Sequence, residues 1–269
     1  MTMPSQYEQD YCMLIKEILR DGDDRATRNA PTIATFGKML TVHELRWGEF
    51  PILSGRKMYP KGIFGELAAF LKGPKTIQDF KDEGCNYWEK WANDDGTIDL
   101  DYGNAWLDFN GVNQLEAVLT SLSEDPTGRR HIISGWRPDN LSNLSLPCCH
   151  MLYQWFVNDM ELEMIWYQRS VDTMVGLPSD VVLAAAWNII MADKLELNPG
   201  KLVFMLGDTH IYQSHLNGMR QYLEAAAMTL SHCPSYVYNY PMFEDEPFTN
   251  DAIQLIGYDP LDPIEFELH

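Results

Sequence analysis

A long apolar helix pattern set among strand-like runs constrains the fold of this chain more than any other feature. The segment LPSDVVLAAAWNIIMADKL, residues 177–195, has the length and composition of a helix, with Pro178 near its start, where proline is tolerated. Three runs around this segment are rich in the β-branched and aromatic residues that are typical of strands. Two of them precede it, HMLYQWFVND and LEMIWYQRS, and one follows it, KLVFMLGD. The centre of the chain therefore predicts a sheet combined with a helix.

Further helix and strand patterns extend to either side of this centre. Residues 6–20 read as an opening helix, and Gly73 and Pro74 form a stop signal for another. The pair Asn158-Asp159 predicts a hairpin turn. The remaining patterns are the helices PKGIFGELAAFLKGP, NQLEAVLTSLSEDP and HIYQSHLNGMRQYLEAA and the strands ATFGKMLTVHELRWG and RHIISGW. Helices on both sides of a central group of strands predict an α+β fold, in a single domain over 1–269 without an obvious linker.

Charge and cysteine content limit the partners of the chain. The net charge is −19, and such a field repels nucleic acid, although a local arginine cluster can still hold a small phosphorylated ligand. No apolar run is long enough to span a bilayer, and the N-terminal segment lacks the pattern of a secretory signal. Five cysteines without regular spacing favour free thiols. We therefore expect a cytoplasmic protein that binds neither nucleic acid nor membranes.

Two adjacent cysteines, Cys148 and Cys149, stand just before a strand pattern in LSLPCCHMLYQWFV. A buried free cysteine is usually inert, whereas a reactive one needs positive charge nearby to favour the thiolate. GRR at 128–130 and YQRS at 167–170 supply arginines. A dyad of Cys149 with His150 is awkward, because neighbouring residues of a strand point to opposite faces. A zinc site is disfavoured as well, because adjacent cysteines lack the usual ligand spacing.

Glu66 borders the apolar face of its helix pattern, because Ile63 and Phe70 lie one turn to either side. An exposed, solvated glutamate is the usual case. A half-buried one would have a raised pKa and could move protons near neutral pH. The residues around Glu66 leave both interpretations open.

The order of several motifs resembles the thymidylate synthase family over nearly the whole chain. LPCCH is followed by YQRSVDTMVGLPSD, and the other motifs are FGELAAFLKG, YWEKWANDDG, DYGNAW, DPTGRRHIISGW, LGDTHIY and IGYDP. The resemblance implies a mixed sheet flanked by helices, in a two-fold homodimer packed sheet against sheet. It also implies transfer of a one-carbon unit from 5,10-methylenetetrahydrofolate to C5 of a pyrimidine nucleoside monophosphate, without a metal.

The same resemblance assigns roles to individual residues. Cys149 matches the nucleophile that adds to C6 of the base and makes C5 a carbon nucleophile. The residues expected to be catalytic are Cys149, Glu66, Tyr102 and Asp180. The expected nucleotide contacts are Arg28, Gln168, Arg169, Ser170, Asp180, His210 and Tyr212, together with Arg129 and Arg130, which reach the partner's phosphate across the dimer. The expected folate contacts are Arg56, Trp88, Leu146, Asp172 and Gly176.

Two residues, Arg25 and Arg28, are candidates for the phosphate arginine expected near the N-terminus. Guanidinium forks suit a phosphate dianion better than lysine does. The segment DDRATRNAPT departs from the family spacing, and Arg28 fits slightly better than Arg25.

Asp180 departs from the family pattern at the position that reads the base. The family segment GLPFN ends in an asparagine, which donates to O4 and accepts from N3–H of uracil, whereas this chain has GLPSD. An ionised carboxylate only accepts hydrogen bonds and suits the N4 amino group of cytosine, and a mismatch with O4 costs about 1–3 kcal/mol. The structural alternative is an acid favoured at a helix start. The change resembles the dCMP hydroxymethylases of phages and related CMP hydroxymethylases, and the contexts it suggests are hypermodified phage DNA or nucleoside-antibiotic synthesis.

The product stays open at this stage. Water addition to the transferred carbon gives a hydroxymethyl group, and hydride from the folate gives a methyl group. Cys148 stands where a proline is usual and the segment PIEFELH departs from the family's closing tail, and both changes indicate altered closure. The product 5-hydroxymethyl-dCMP is favoured, mainly because of the kinship that Asp180 implies. The alternatives are a dCMP methylase, an ordinary thymidylate synthase acting on dUMP, an inactive nucleotide- or RNA-binding relative and, least favoured, an unrelated cysteine hydrolase. Ribose and deoxyribose are not distinguished.

Overall fold

A six-stranded mixed sheet forms the centre of the fold in the computed structural model, which describes residues 5–228, 233–239 and 248–269. Its strands are β1 (Asp23–Arg25), β2 (Thr32–Val42), β3 (Ile132–Ser134), β4 (His150–Asn158), β5 (Glu161–Asp172) and β6 (Asn198–Tyr212). Their order is β1-β2-β6-β5-β4-β3, with β5 and β6 parallel and the other neighbours antiparallel. A separate antiparallel pair consists of β7 (Ser235–Tyr238) and β8 (Ile253–Ile256).

One apolar helix makes the parallel pair of strands possible. The helices of the described residues are α1 (Gln6–Asp21), α2 (Pro60–Lys72), α3 (Ile77–Asp82), α4 (Asn104–Leu107), α5 (Gln114–Glu124), α6 (Gly176–Lys194) and α7 (Leu216–Met228). Parallel neighbours need a crossover, and α6 supplies it between β5 and β6. It packs on both strands and on α2, and buries almost every side chain from Leu177 to Ala192. Each large apolar side chain so buried contributes about 1.5–3 kcal/mol, which fixes α6 against the sheet.

The two faces of the sheet differ in what covers them. One face is buried beneath the helices. On it, Phe204 of β6 pairs in register with Leu40 of β2 on one side and with Trp166 of β5 on the other. On the opposite face, Met39 and Met205 are also paired, but they are 64% and 40% exposed. The predicted mixed sheet flanked by helices is confirmed, and strand alternation sends every second side chain toward the face that the helices do not cover.

The α+β prediction is confirmed, and the predicted helices and strands occur with shifted ends. The hairpin between β4 and β5 turns at Asp159 and Met160, one residue later than predicted, since Asn158 still pairs with Glu161. Asp159 has a φ of 55°, a left-handed conformation that aspartate tolerates better than most residues. The helix predicted from residue 210 begins only at Leu216, because β6 continues in pairing with both of its neighbours.

The helix that carries Glu66 ends as the sequence predicts. α2 stops at Gly73, whose φ of 74° closes the helix in the left-handed region that favours glycine. The buried side of α2 packs against α6, which sets Glu66 facing the interior next to the sheet. None of the helices in the described parts of the chain is long and apolar enough to cross a membrane.

Candidate active site

The candidate site lies where β4 begins and β5 ends. Cys149 immediately precedes β4, and its carbonyl accepts a hydrogen bond of 2.8 Å from the backbone N–H of Arg169 in β5. His150 and Gln168 are paired across the same two strands. The sheet hydrogen bonds therefore hold residues 148–150 and 168–170 beside each other, although they are far apart in sequence.

Cys149 is half-buried and has one cation close to its sulfur. The Arg169 Nη2 atom lies 4.0 Å from the Cys149 Sγ atom, and the same guanidinium is fixed by the carbonyls of Cys148 (2.7 Å) and Pro147 (3.0 Å). The Tyr102 hydroxyl accepts a hydrogen bond from the Cys149 backbone N–H. Burial raises the pKa of the Cys149 thiol, while the charge of Arg169 lowers it and offsets only part of that rise. The free protein therefore holds a thiol that Arg169 assists in ionising.

Cys148 differs from its neighbour in both exposure and surroundings. It is only 1% exposed, and its sulfur faces the backbone of Gly135. Burial raises the pKa of Cys148 well above its ordinary value, and the charge of Asp101 raises it further. These features are those of an inert core cysteine, so the two adjacent sulfurs are not equivalent. All five cysteines are free thiols.

A cleft of about 300 Å³ opens next to Arg169 and has the polar lining that an anion needs. It is lined by Thr27, Arg28, Asn29, Thr32, Arg169, Ser170, Asp208, His210 and Tyr212. The buried Thr32 Oγ1 atom has no hydrogen-bond partner among the described residues. Arg25 instead pairs with Asp208 at 3.3 Å and does not line the cleft, so the geometry favours Arg28 over Arg25 as the N-terminal arginine of this site.

Asp180 lies in the second turn of α6 and points into the site. Its side chain is 13% exposed, and its Oδ2 atom accepts a hydrogen bond of 2.6 Å from Gln168 Nε2. It makes no capping contact, which disfavours a role limited to starting the helix. Burial raises the pKa of Asp180 well above its ordinary value, and the charge of Glu66 raises it further. This shift makes a proton on Asp180 easier to keep than on an exposed aspartate, so pairing with a base is considered for both forms of the acid.

Glu66 is buried, as its position beside the apolar face of α2 suggested. It is 9% exposed and accepts hydrogen bonds from Tyr87 Oη (2.8 Å) and Trp88 Nε1 (2.7 Å). Burial raises the pKa of Glu66 to about 7, although both hydrogen bonds oppose the rise. A carboxyl group that titrates near neutral pH can both give and take a proton there.

The raised pKa of Glu66 has a consequence for stability. Because the folded pKa is about 7 and the unfolded value is 4.5, the unfolded chain loses its proton first as pH rises. The free energy of unfolding should therefore fall between these two pH values, by up to about 3 kcal/mol, and level off above them. Glu66→Gln should remove this loss. We expect the variant to match the wild type at pH 4.5 and to exceed it at pH 8 in urea unfolding, and equal stabilities at pH 8 would contradict the assignment.

The residues expected at a folate lie around the edge of the site. Trp88 stacks on Phe80 at 5.2 Å, and Leu146 is partly buried against the core. Gly176 begins α6, and a side chain there would start 3.7 Å from both Asp172 and Asp180, so this glycine lies directly beside two acids.

Arg56 lies beneath the last residues of the chain. It is 7% exposed, donates a hydrogen bond to the carbonyl of Met174, and has its guanidinium 4.9 Å from the ring centre of Phe266. His215 Nε2 lies 2.8 Å from the carbonyl of Glu267. Because a carbonyl only accepts, Nε2 carries the hydrogen and donates it. The segment that ends at His269 therefore packs over this side of the site.

Arg129 and Arg130 do not join the cleft of their own protomer. They lie exposed on the loop between α5 and β3, and within the described residues their guanidinium groups form no ion pair. Both side chains are therefore left free to contact a partner molecule.

Three residues beside the site were not identified from the sequence. Tyr87 donates a hydrogen bond to Glu66. Its position next to Trp88 in YWEKWANDDG could have indicated that it belongs to the site. Tyr153 bonds to His150, and His215 bonds to the C-terminal segment. No local pattern pointed to these last two, because their partners depend on the packing of the sheet and of the chain end.

The fold and the site define a class of protein: an α+β protein built around a cysteine, an adjacent arginine-lined cleft and two buried acids. A family model described as thymidylate synthase matches residues 9–269. The chain belongs to the thymidylate synthase family, and its activity is one-carbon transfer from a methylene folate to a pyrimidine nucleotide. No group of three metal-binding side chains occurs among residues 5–228, 233–239 and 248–269.

Proposed function

We propose that this protein transfers a one-carbon unit from 5,10-methylenetetrahydrofolate to C5 of a cytosine nucleotide, giving the 5-hydroxymethyl derivative of dCMP or CMP. The observation that carries the proposal is the position of Asp180. It lies within hydrogen-bond distance of Gln168 and 3.9 Å from His150, the residue that follows Cys149. These contacts support a role for the acid in reading the exocyclic group of a base captured by Cys149.

A proton on Asp180 would fit a cytosine substrate. Neutral cytosine has a lone pair at N3 and an amino donor at N4. A protonated Asp180 donates to N3, or transfers the proton to it, while its other oxygen accepts from N4. In either case one proton is shared between the acid and the base, and the raised pKa of Asp180 helps the acid to keep that proton.

The covalent chemistry assigns separate tasks to the chain's own groups. The Cys149 thiolate forms a bond to C6, and the displaced electron pair lets C5 bond to the carbon that the folate supplies. Arg169 stabilises the thiolate from 4.0 Å, both when it attacks and when the bond to C6 breaks again. Glu66, with a pKa of about 7, takes up the proton that leaves C5 and can return a proton to the departing folate nitrogen. Water adds to the carbon, so nucleotide, methylene folate and water give hydroxymethyl nucleotide and tetrahydrofolate.

One observation favours a second candidate, the thymidylate synthase reaction on dUMP. A protonated Asp180 can donate to O4 and accept from N3–H, as an asparagine does. The raised pKa of Asp180 therefore does not by itself reject uracil. A dCMP methylase is the third candidate. It differs from the proposal only in that the transferred carbon receives hydride from the folate instead of water.

The product identifies the reaction directly. The protein is incubated with methylenetetrahydrofolate and dCMP, CMP or dUMP, and the nucleotides are analysed by mass spectrometry. The proposal expects a gain of one carbon, two hydrogens and one oxygen on a cytosine nucleotide, with tetrahydrofolate as the second product. A methyl product with dihydrofolate, or turnover of dUMP alone, would contradict it.

We further propose that the protein acts as a homodimer packed through the exposed sheet face. This side of the strands carries four apolar side chains that are 38–64% exposed: Met39, Phe156, Ile165 and Met205. Apolar side chains in adjacent strands form a contiguous patch, which marks an interaction surface. A two-fold partner on this face would bring its own Arg129 and Arg130 to the anion cleft.

Mixing inactive subunits tests the shared site. Equal mixing of Arg130→Ala and Cys149→Ala subunits, followed by refolding or subunit exchange, should restore about a quarter of wild-type activity, because half of the dimers then carry one complete site of two. The matched control mixes Arg169→Ala with Cys149→Ala, whose defects lie in the same protomer's site and should not complement. Equal recovery in both mixtures, or in neither, would argue against arginine donation across the dimer.

A further inference from the structure

Tyr153 and His150 form a hydrogen-bonded pair that fixes where the histidine carries its hydrogen. The Tyr153 hydroxyl donates to the His150 backbone carbonyl at 3.1 Å, and the same oxygen lies 2.7 Å from His150 Nδ1. A hydroxyl has one hydrogen, and a carbonyl can only accept. Both contacts are hydrogen bonds only when Nδ1 carries a hydrogen and donates to the tyrosine. In a neutral ring, Nε2 is then an acceptor.

The surroundings of His150 keep the ring neutral. His150 is 5% exposed, and the rings of Tyr102 and Trp166 each lie 4.4 Å from its centre. Burial lowers the pKa of His150 to about 3. The ring therefore carries a single hydrogen across the neutral range, and Tyr153 holds that hydrogen at Nδ1.

The free Nε2 lone pair faces the base-reading acid. Nε2 lies 3.9 Å from Asp180 Oδ1, too far for a hydrogen bond between them but close enough for both to reach one group, directly or through a water. The exocyclic amino group of cytosine has two hydrogens, whereas O4 of uracil has none. Two neighbouring acceptors match an amino group, and an acceptor at Nε2 opposes a carbonyl oxygen.

We propose that Tyr153 is a specificity-determining positioning residue: it holds His150 in the Nδ1–H form, which presents a second acceptor beside Asp180 and favours an amino-bearing pyrimidine. The inference rests on the proposed cytosine substrate. It accounts for discrimination that a protonated Asp180 cannot supply alone, because a carboxylic acid can pair with either base. Without the tyrosine hydroxyl, His150 can move its hydrogen to Nε2 and donate to O4.

The test compares the wild-type protein with Tyr153→Phe, which removes only the hydroxyl. Nitrogen-15 NMR of histidine-labelled protein reads the tautomer, and the His150 signals are assigned from their loss in His150→Gln. We expect a protonated Nδ1 and an unprotonated Nε2 in the wild type, and a shift toward Nε2–H in the variant. The dCMP:dUMP ratio of kcat/KM should fall about tenfold in Tyr153→Phe, the effect of one altered hydrogen bond.

The control is Tyr7→Phe, which removes another fully buried hydroxyl, one without a hydrogen-bond partner among the described residues. It should leave both the His150 tautomer and the substrate ratio unchanged. An Nε2–H tautomer in the wild type would overturn the inference, as would an unchanged dCMP:dUMP ratio in Tyr153→Phe. A wild-type preference for dUMP would instead overturn the proposed function, and it is measured before any variant is made.

Discussion

Cys149→Ala is expected to lose turnover by at least about 10⁴-fold, while nucleotide binding remains close to that of the wild type. The thiolate forms the bond that makes C5 nucleophilic, and no neighbouring group can replace it, since Cys148 faces the backbone of Gly135 and is almost fully buried. The arginine-lined cleft that would hold the phosphate does not include Cys149. Steady-state rates with dCMP, together with calorimetric binding of the nucleotide, separate the loss of chemistry from a loss of affinity.

The matched control for this prediction is the adjacent sulfur. Cys148→Ala removes a buried atom of similar size one residue away, so it should cost about 1 kcal/mol of unfolding free energy and change kcat less than about threefold. Its near-complete burial and its raised pKa give it no role in attack. Comparable losses of turnover in the two variants would mean that the wrong sulfur has been chosen, or that the loop tolerates neither change.

The strands and the crossover helix were accessible from the sequence because their patterns are long and local. α6 and the runs that became β4, β5 and β6 are rich in apolar residues over many positions, and each occurs close to its predicted bounds. The helix predicted from residue 210 failed at its start, because Tyr212 pairs with Thr32 across the sheet. Such pairing depends on a residue far away in sequence and outweighs local propensity.

The contact between His150 and Tyr153 shows why part of the site escaped prediction. Simple alternation places residues three apart on opposite faces of a strand. The register between β4 and β5 shifts between His150 and Leu152, so Met151 is an extra residue there. This bulge puts His150 and Tyr153 on the same face, and a bulge is not visible in the hydrophobic pattern.

The raised pKa of Asp180 was beyond sequence reasoning for a related cause. The identity of Asp180 and its place in GLPSD could be read directly. The rise in its pKa depends on burial and on the charge of Glu66, which belongs to another helix. Burial and a nearby like charge both disfavour the ionised form of an acid, and neither can be read from a local pattern.

Asp180→Asn is expected to raise the dUMP:dCMP ratio of kcat/KM by about 10²–10³-fold, as expected where buried hydrogen-bonding groups are mismatched. The side chains have nearly the same shape, and the asparagine oxygen can keep the contact with Gln168 Nε2. What changes is the proton. Asp180 can donate to N3 of cytosine and accept from N4, whereas an asparagine must direct its fixed NH₂ group at one ring position. That position fits O4 of uracil and meets the amino group of cytosine as donor against donor.

Asp193→Asn is the matched control, because it makes the same change on the same helix at an exposed position near the other end of α6. It should leave the ratio within about twofold of the wild type.

The products formed by Asp180→Asn add a second conclusion. If its dUMP product carries a hydroxymethyl group, water access to the transferred carbon is independent of the base that is read. If it carries a methyl group with dihydrofolate released, then the pairing at Asp180 also positions the base relative to the folate hydride. An unchanged ratio would remove Asp180 from substrate selection, whatever the product.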